Sequence, residues 1–273
     1  MSDIEEGVAA VRAIELAYDL GGPVVSAPFI WGHGLTSSRS EEDHFPLVDL
    51  HRVRSDHRVV RYDAAGHGES TPLPQPERGS WAELGADMVA LVDHLELDRV
   101  VVGGASMGAG TALHAALTLG RRVKGLVLVI PPTAWDERAD QVAMYDQLAG
   151  IVERSGVDAL LAAPPLPPPE PFALDTDWHD RRKATLRRAD PVRLAANFRG
   201  AAFADLPTFD ELRTLSMPTL VLAWNGDPGH PVSTAERLAE VLPQVEMRVA
   251  VSRDDFDAWT ERVRQFLASL PDD

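Results

Sequence analysis

The sequence predicts an α/β fold: a mostly parallel sheet flanked by helices, with a helical cap inserted late in the chain. Three observations predict it. Short apolar runs alternate with amphipathic stretches along most of the 273 residues, the pattern of βα units built on a parallel sheet. That alternation stops near Pro131 and resumes at about Met217, with no strand pattern between. The length suits one large core carrying an insertion.

Taken in order, the strand candidates are "AIELAYDL" (13–20), "APFIWG" (27–32), "HRVVRYD" (57–63), "RVVVGGA" (99–105), "GLVLVI" (125–130), "TLVLAW" (219–224) and "EMRVAV" (246–251). Residues 80–96 read as a helix with Leu84, Met88, Leu91, Val92 and Leu95 on one face. "MGAGTALHAALTLG" after Ser106 reads as another, and Phe256, Trp259, Val263, Phe266 and Leu270 line one face of a terminal helix. The insertion holds a helical pattern from about Asp136 to Ser155, the proline-rich "PPLPPPEP" (164–171) and shorter helical stretches to Asp210. The core is therefore expected over 1–131 and 207–273 and the cap over 132–206. An insertion at this point lies over the C-terminal edge of the sheet, where open α/β sheets place their ligands. Trp135, Met144, Leu148, Phe172 and Trp178 are its candidate pocket residues, although surface decoration is the plainer reading.

Composition narrows the partners. With 42 acidic against 26 basic residues the formal charge is -16, which repels nucleic acid and anionic membrane surfaces and points to a small-molecule substrate. The absence of cysteine excludes a disulfide framework, a thiolate nucleophile and a Cys-ligated metal. No His-x-x-x-His or clustered His/carboxylate spacing suggests a metal, and no cofactor is expected. The first twenty residues lack a basic n-region and a continuous apolar stretch, and no unbroken apolar run reaches membrane-spanning length. A soluble, cytoplasmic protein is the expectation.

"VVGGASMGAG" (101–110) carries the chemistry. Gly-x-Ser-x-Gly alone is weak. Here a strand runs straight into Ser106 and a helix begins at once, the strand–turn–helix of a nucleophile elbow. Gly104 and Gly108 would relieve crowding at so sharp a turn. The backbone N–H of Met107, opening the helix, would point at an oxyanion formed at Ser106. "FIWGHGLTSS" (29–38) supplies a second donor, the N–H of Leu35.

With these motifs in view the chain resembles the α/β-hydrolase family. "HGLTSS", "YDAAGHGES" (62–70) and "GGASMG" (103–108) stand in the family's order, with "GDPGHPVSTAERLAEVLP" (226–243) and "WTERVRQFLASL" as weaker support. The resemblance implies Ser106 as nucleophile, Asp227 as triad acid and the Leu35 and Met107 N–H groups as oxyanion hole. It also implies a histidine in the loop after the last strand, yet "VAVSRDDFDAWTERV" (249–263) contains none, and no histidine follows His230. A serine hydroxyl is a weak nucleophile without a neighbouring base.

Three readings stand. His230, three residues after Asp227, serves as the base, although His-Pro at that point also reads as shaping the loop before a helix. Alternatively the chain is a non-hydrolytic or silent relative that binds a small molecule under the cap. The third reading has Ser106 acting unaided on activated esters. His33 and His67 read as rim residues that hold loops, His179 as a cap residue able to reach down, His57 as solvated, and Asp136 as an alternative acid. The expected activity is hydrolysis of an ester, lactone or thioester of a small, largely apolar substrate.

Overall fold

The structure, a computed structural model, describes residues 4–24 and 26–271. Its strands are β1 (Glu5–Val11), β2 (Ile14–Gly21), β3 (Phe29–Gly32), β4 (Val59–Tyr62), β5 (Val100–Ala105), β6 (Val123–Val129), β7 (Thr219–Trp224) and β8 (Val245–Ala250). They form one sheet in the order β1-β2-β4-β3-β5-β6-β7-β8. β2 pairs antiparallel with β1 and β4, and the remaining neighbours pair parallel. The fold class is thus the expected one.

β1 is the strand that periodicity did not reveal. Only two of its seven residues are buried, as befits an edge strand, and "EEGVAAV" holds few residues favoured in strands. Its turn is equally quiet. Arg12 and Ala13 both take left-handed backbone, with φ of 46° and 65°, where Asn or Gly would have signalled a two-residue hairpin.

The helices are α1 (Arg39–His44), α2 (Leu50–Val53), α3 (Trp81–His94), α4 (Met107–Leu119), α5 (Arg138–Leu161), α6 (Trp178–Arg188), α7 (Pro191–Ala201), α8 (Phe209–Leu212), α9 (Val232–Val241), α10 (Arg253–Asp257) and α11 (Trp259–Ser269). Strand residues alternate between two cores. Ile30, Val102 and Val221 face α3, α4 and α9, whereas Phe29, Trp31, Val101, Leu220 and Leu222 face α2 and α11. Burial on both faces explains why the central strands read as unbroken apolar runs.

Between β6 and β7 the chain is helical, α5 to α8. α5 breaks at Gly156, whose φ of 75° no regular helix allows, close to where the periodicity ended. α5 and α7 pack through Ala149, Val152, Leu194, Ala195 and Phe198, and Leu35 rests against that cluster. Trp135 turns away from it: the ring lies 4.5 Å from that of Phe209 and its indole N–H donates to Pro207 O at 2.9 Å. Among the described residues no helix is long and apolar enough to cross a membrane.

Candidate active site

Ser106 sits between β5 and α4 with φ 53° and ψ −112°, a conformation that a non-glycine residue holds only when its surroundings impose it. They do so through contacts on both sides. The Ser106 N–H donates to Val129 O at 2.9 Å, and a Cβ on Gly104 or Gly108 would overlap the Gly32 carbonyl oxygen. Glycine at both positions lets α4 press against the end of β3. The hydroxyl is thereby lifted above the C-terminal edge of the sheet.

Above the same edge, β7 leads into Asp227-Pro228-Gly229-His230. The His230 N–H donates to Asp227 O at 3.1 Å, closing a β-turn with proline at its second position, where its fixed φ is favoured. A β-turn sets its first and fourth residues side by side. Accordingly His230 Nδ1 lies 2.8 Å from Asp227 Oδ2, and Nε2 lies 2.7 Å from Ser106 Oγ. An ionised carboxylate can only accept, so Nδ1 carries the proton and Nε2 offers its lone pair to the Ser106 hydroxyl. The left-handed residue of this loop is Gly226, with φ 83°.

Asp227 is held from several sides. The Gly229 N–H donates to Oδ1 at 2.9 Å and the Trp224 indole N–H to Oδ2 at 3.0 Å. Burial alone would raise this carboxyl, but the hydrogen bond and charge of His230, with the Gly229 and Trp224 donors, outweigh it and hold Asp227 at about 2. The turn is tied to the end of β6, where the Thr133 N–H and Oγ1 both donate to Gly229 O, at 3.1 and 3.0 Å. Neither Trp224 nor Thr133 emerged from the sequence. The one available signal was an indole at the end of a buried strand, whose N–H requires a partner.

Met107 begins α4, so its N–H has no intrahelical acceptor. Among the described residues neither this N–H nor that of Leu35 has a hydrogen-bond partner. A methyl group on Gly34 would lie 3.9 Å from Ser106 Cβ, which sets the 33–35 turn beside the hydroxyl. Two buried histidines shape that turn. His33 Nε2 accepts from the Ala64 N–H at 3.0 Å, so its Nδ1–H donates to Gly34 O at 2.8 Å. His67 Nδ1 and Nε2 lie 3.0 Å from Ala65 O and 2.7 Å from Leu35 O, and burial together with the neighbouring His33 pushes this imidazole down to about 4 against those two hydrogen-bond acceptors. Both rings serve the loop, as their rim positions suggested.

The other candidates lie apart. Asp136 is 88% exposed and pairs with Arg237 at 3.3 Å. Among the described residues His179 makes no hydrogen bond to Ser106, Asp227 or His230. His57 is buried at 7% exposure, against the expectation of a solvated residue. After β8, where the resemblance implied a histidine, Ser252 and Asp255 form a capping box that starts α10. Phe256 and Trp259 then stack against Trp224, at 6.5 and 5.9 Å between ring centres. Aromatic packing fills this corner, and the imidazole reaches Ser106 from the β7 turn instead. The arrangement sets an imidazole within hydrogen-bond reach of Ser106 Oγ.

The alpha/beta hydrolase fold model matches residues 28–150. The "Putative carbamate hydrolase RutD" of Agrobacterium fabrum is 32% identical over 236 residues, covering 80% of this chain and 85% of its own. The 3-oxoadipate enol-lactonase 1 of Acinetobacter baylyi is 28% identical over 190 residues, 67% of this chain and 66% of its own. Among solved structures, the enol-lactonase from Burkholderia xenovorans LB400 superposes with a TM-score of 0.80 at 22% identity, covering 96% of this chain and 100% of that one, a likeness of fold. The glycine-flanked elbow, the sheet order and these relatives agree, and the chain belongs to the α/β-hydrolase fold family.

Proposed function

We propose that the chain hydrolyses an ester-type bond, in an ester, lactone or thioester, of a small substrate. In this reading Ser106 is the nucleophile, His230 its base and Asp227 the group that orients His230. The observation that carries it is the unbroken hydrogen-bond chain from Asp227 through His230 to Ser106. The relatives' names support the same class, since a carbamate and an enol-lactone are both attacked at an acyl carbon.

The chemistry follows from the proton positions. Ser106 Oγ attacks the acyl carbon as its proton passes to His230 Nε2, and the carbonyl oxygen gains the negative charge. The Leu35 and Met107 N–H groups receive that charge, two fixed donors needing no reorganisation at the moment of attack. Asp227, ionised down to about pH 2, stabilises the imidazolium without accepting its proton. The imidazolium then protonates the leaving oxygen or sulfur, the acyl group stays on Ser106, and water activated by His230 releases it. Residues 132–206 act as the cap. In support, the Glu170 N–H donates to Asn225 O at 2.9 Å, and Asn197 Nδ2 donates to Gly66 O at 3.1 Å, which hold the helical segment to two loops at the sheet's C-terminal edge.

A fluorophosphonate probe followed by intact-mass measurement tests the reading. One label is expected on the wild type, none on Ser106→Ala and much slower labelling of His230→Ala. A wild type that resists the probe and hydrolyses activated esters no faster than Ser106→Ala would replace this reading with that of a silent, ligand-binding relative.

A further inference from the structure

We propose that Arg182, on the cap helix α6, receives a carboxylate of the substrate, so that the ester, lactone or thioester cleaved at Ser106 carries an anionic group; this rests on the hydrolase reading above. The strongest observation is what Arg182 lacks. Among the described residues its guanidinium makes no ion pair or hydrogen bond, whereas its neighbours on α6 are engaged, Arg181 with Asp175 and Arg188 with Glu41.

Its position is the second observation. Arg182 stands one turn after Trp178, on the same helix face, and its guanidinium carbon lies 5.7 Å from the centre of that indole. Trp178 is buried against Trp224, 6.0 Å away, and Trp224 holds Asp227. Burial lowers the Arg182 guanidinium while the charge of Asp227 acts the other way, yet the side chain is open to solvent. The exposed guanidinium is thus joined to Asp227 through two indoles, Trp178 and Trp224.

Charge distribution is the third. α6 carries Arg181, Arg182, Lys183, Arg187 and Arg188 against the single acid Asp180, in a chain of net charge -16. With Arg181 and Arg188 paired to acids, Arg182, Lys183 and Arg187 leave an excess of positive charge on α6 that attracts anions where the bulk surface repels them. A guanidinium fork beside an indole, with its N–H groups unpaired, suits the planar, bidentate carboxylate. The "largely apolar" substrate expected from composition thereby gains a charged end.

The test compares mono-p-nitrophenyl succinate with p-nitrophenyl butyrate. The ratio of their kcat/KM values should fall roughly ten- to hundredfold in Arg182→Gln, the loss of one charge-assisted pair, with part of the preference retained in Arg182→Lys. A purely structural role for Arg182 would move both substrates together and leave the ratio unchanged, which overturns the proposal. Calorimetric titration of glutarate separates this inference from the hydrolase reading. Binding at least tenfold weaker in Arg182→Gln supports the anion site even if no ester is cleaved, whereas equal affinity, or no binding by the wild type, overturns it.

Discussion

His230 Nε2 lies 2.7 Å from Ser106 Oγ while its Nδ1 lies 2.8 Å from Asp227, only three residues earlier in the chain. Carboxylate and imidazole thus come from a single β-turn. Their mutual geometry is set within that turn, which Trp224 and Thr133 hold in place, whereas the Ser106 to His230 distance depends on how β5 and β7 sit in the sheet.

Replacing His230 by alanine is expected to cut kcat by ~10⁴- to 10⁶-fold, the scale seen when a serine hydrolase loses its base. Ser106→Ala should do the same, and the double variant should be no slower than either, because the two groups act as a unit. The side chains of His230 and Asp227 retain 21% and 20% exposure, so melting temperatures should shift by no more than a few degrees. Steady-state kinetics with calorimetric melting checks both statements. Full activity in His230→Ala would move the search for the base to His33, His67 and His179.

Trp224→Phe keeps most of the ring packing against Trp178 and Trp259 but removes the indole donor to Asp227 Oδ2. A hydrogen bond to a charged group contributes about 1.5–3 kcal/mol. An activity loss of roughly tenfold, expressed in kcat with KM little changed, is the expected outcome, since the donor positions Asp227 and touches no substrate. An equal rise in KM would instead place Trp224 against the substrate.

The glycine motifs were legible because steric necessity leaves few alternatives: Gly104 and Gly108 meet Gly32 backbone, and only glycine fits there. Seven of the strands were legible, the central ones as apolar runs because they bury both faces, and the edge strand β8 through the alternation of Val245, Met247 and Val249. β1 was not, since an exposed edge strand with an Arg-Ala turn carries neither signal. Asp227 and His230 were visible as residues, but their pairing depends on a β-turn whose Pro-Gly centre also reads as an ordinary loop. Thr133 acts through Gly229, brought near only by the fold, whereas Trp224 and Arg182 lie three and four residues from Asp227 and Trp178, spacings too common in any sequence to mark a contact.

Two glycine substitutions separate folding from chemistry. In Gly108→Ala the new methyl overlaps Gly32 O, a backbone atom that cannot step aside. A loss of more than 3 kcal/mol, on the order of other overpacked or strained core sites, is expected, read by urea denaturation. A methyl at Gly34 meets only ordinary contacts, at 3.8 Å from Ala105 O and 3.9 Å from Ser106 Cβ. That variant should fold with nearly unchanged stability but lose turnover, since the methyl stands beside the hydroxyl and the Leu35 N–H. If Gly34→Ala kept full activity, the acyl carbonyl would have to lie on another side of Ser106.

Glu42 allows a pH prediction away from the proposed chemistry. The Trp31 indole N–H approaches its two carboxyl oxygens at 3.0 and 2.9 Å. Burial raises the carboxyl from 4.5 to about 7, with Asp43 and Asp63 adding to it and the Trp31 hydrogen bond and Arg61 opposing. Folding therefore favours the protonated form. Below pH 4.5 the group is protonated in both states and its contribution is fully present. Between 4.5 and 7 the unfolded chain ionises while the folded one resists, so stability declines, and above 7 the cost is constant. A full shift of this size corresponds to ~3 kcal/mol, reduced to roughly 2 kcal/mol by the group's partial exposure. Glu42→Gln removes the titration and keeps an oxygen to accept from Trp31. The unfolding free energy of Glu42→Gln minus that of the wild type should accordingly rise by roughly 2 kcal/mol from pH 4 to pH 8, other titrating groups cancelling in the difference. A difference that stays flat across this range would mean that Glu42 titrates alike in the folded and unfolded chain, with Trp31 and Arg61 offsetting the cost of its burial.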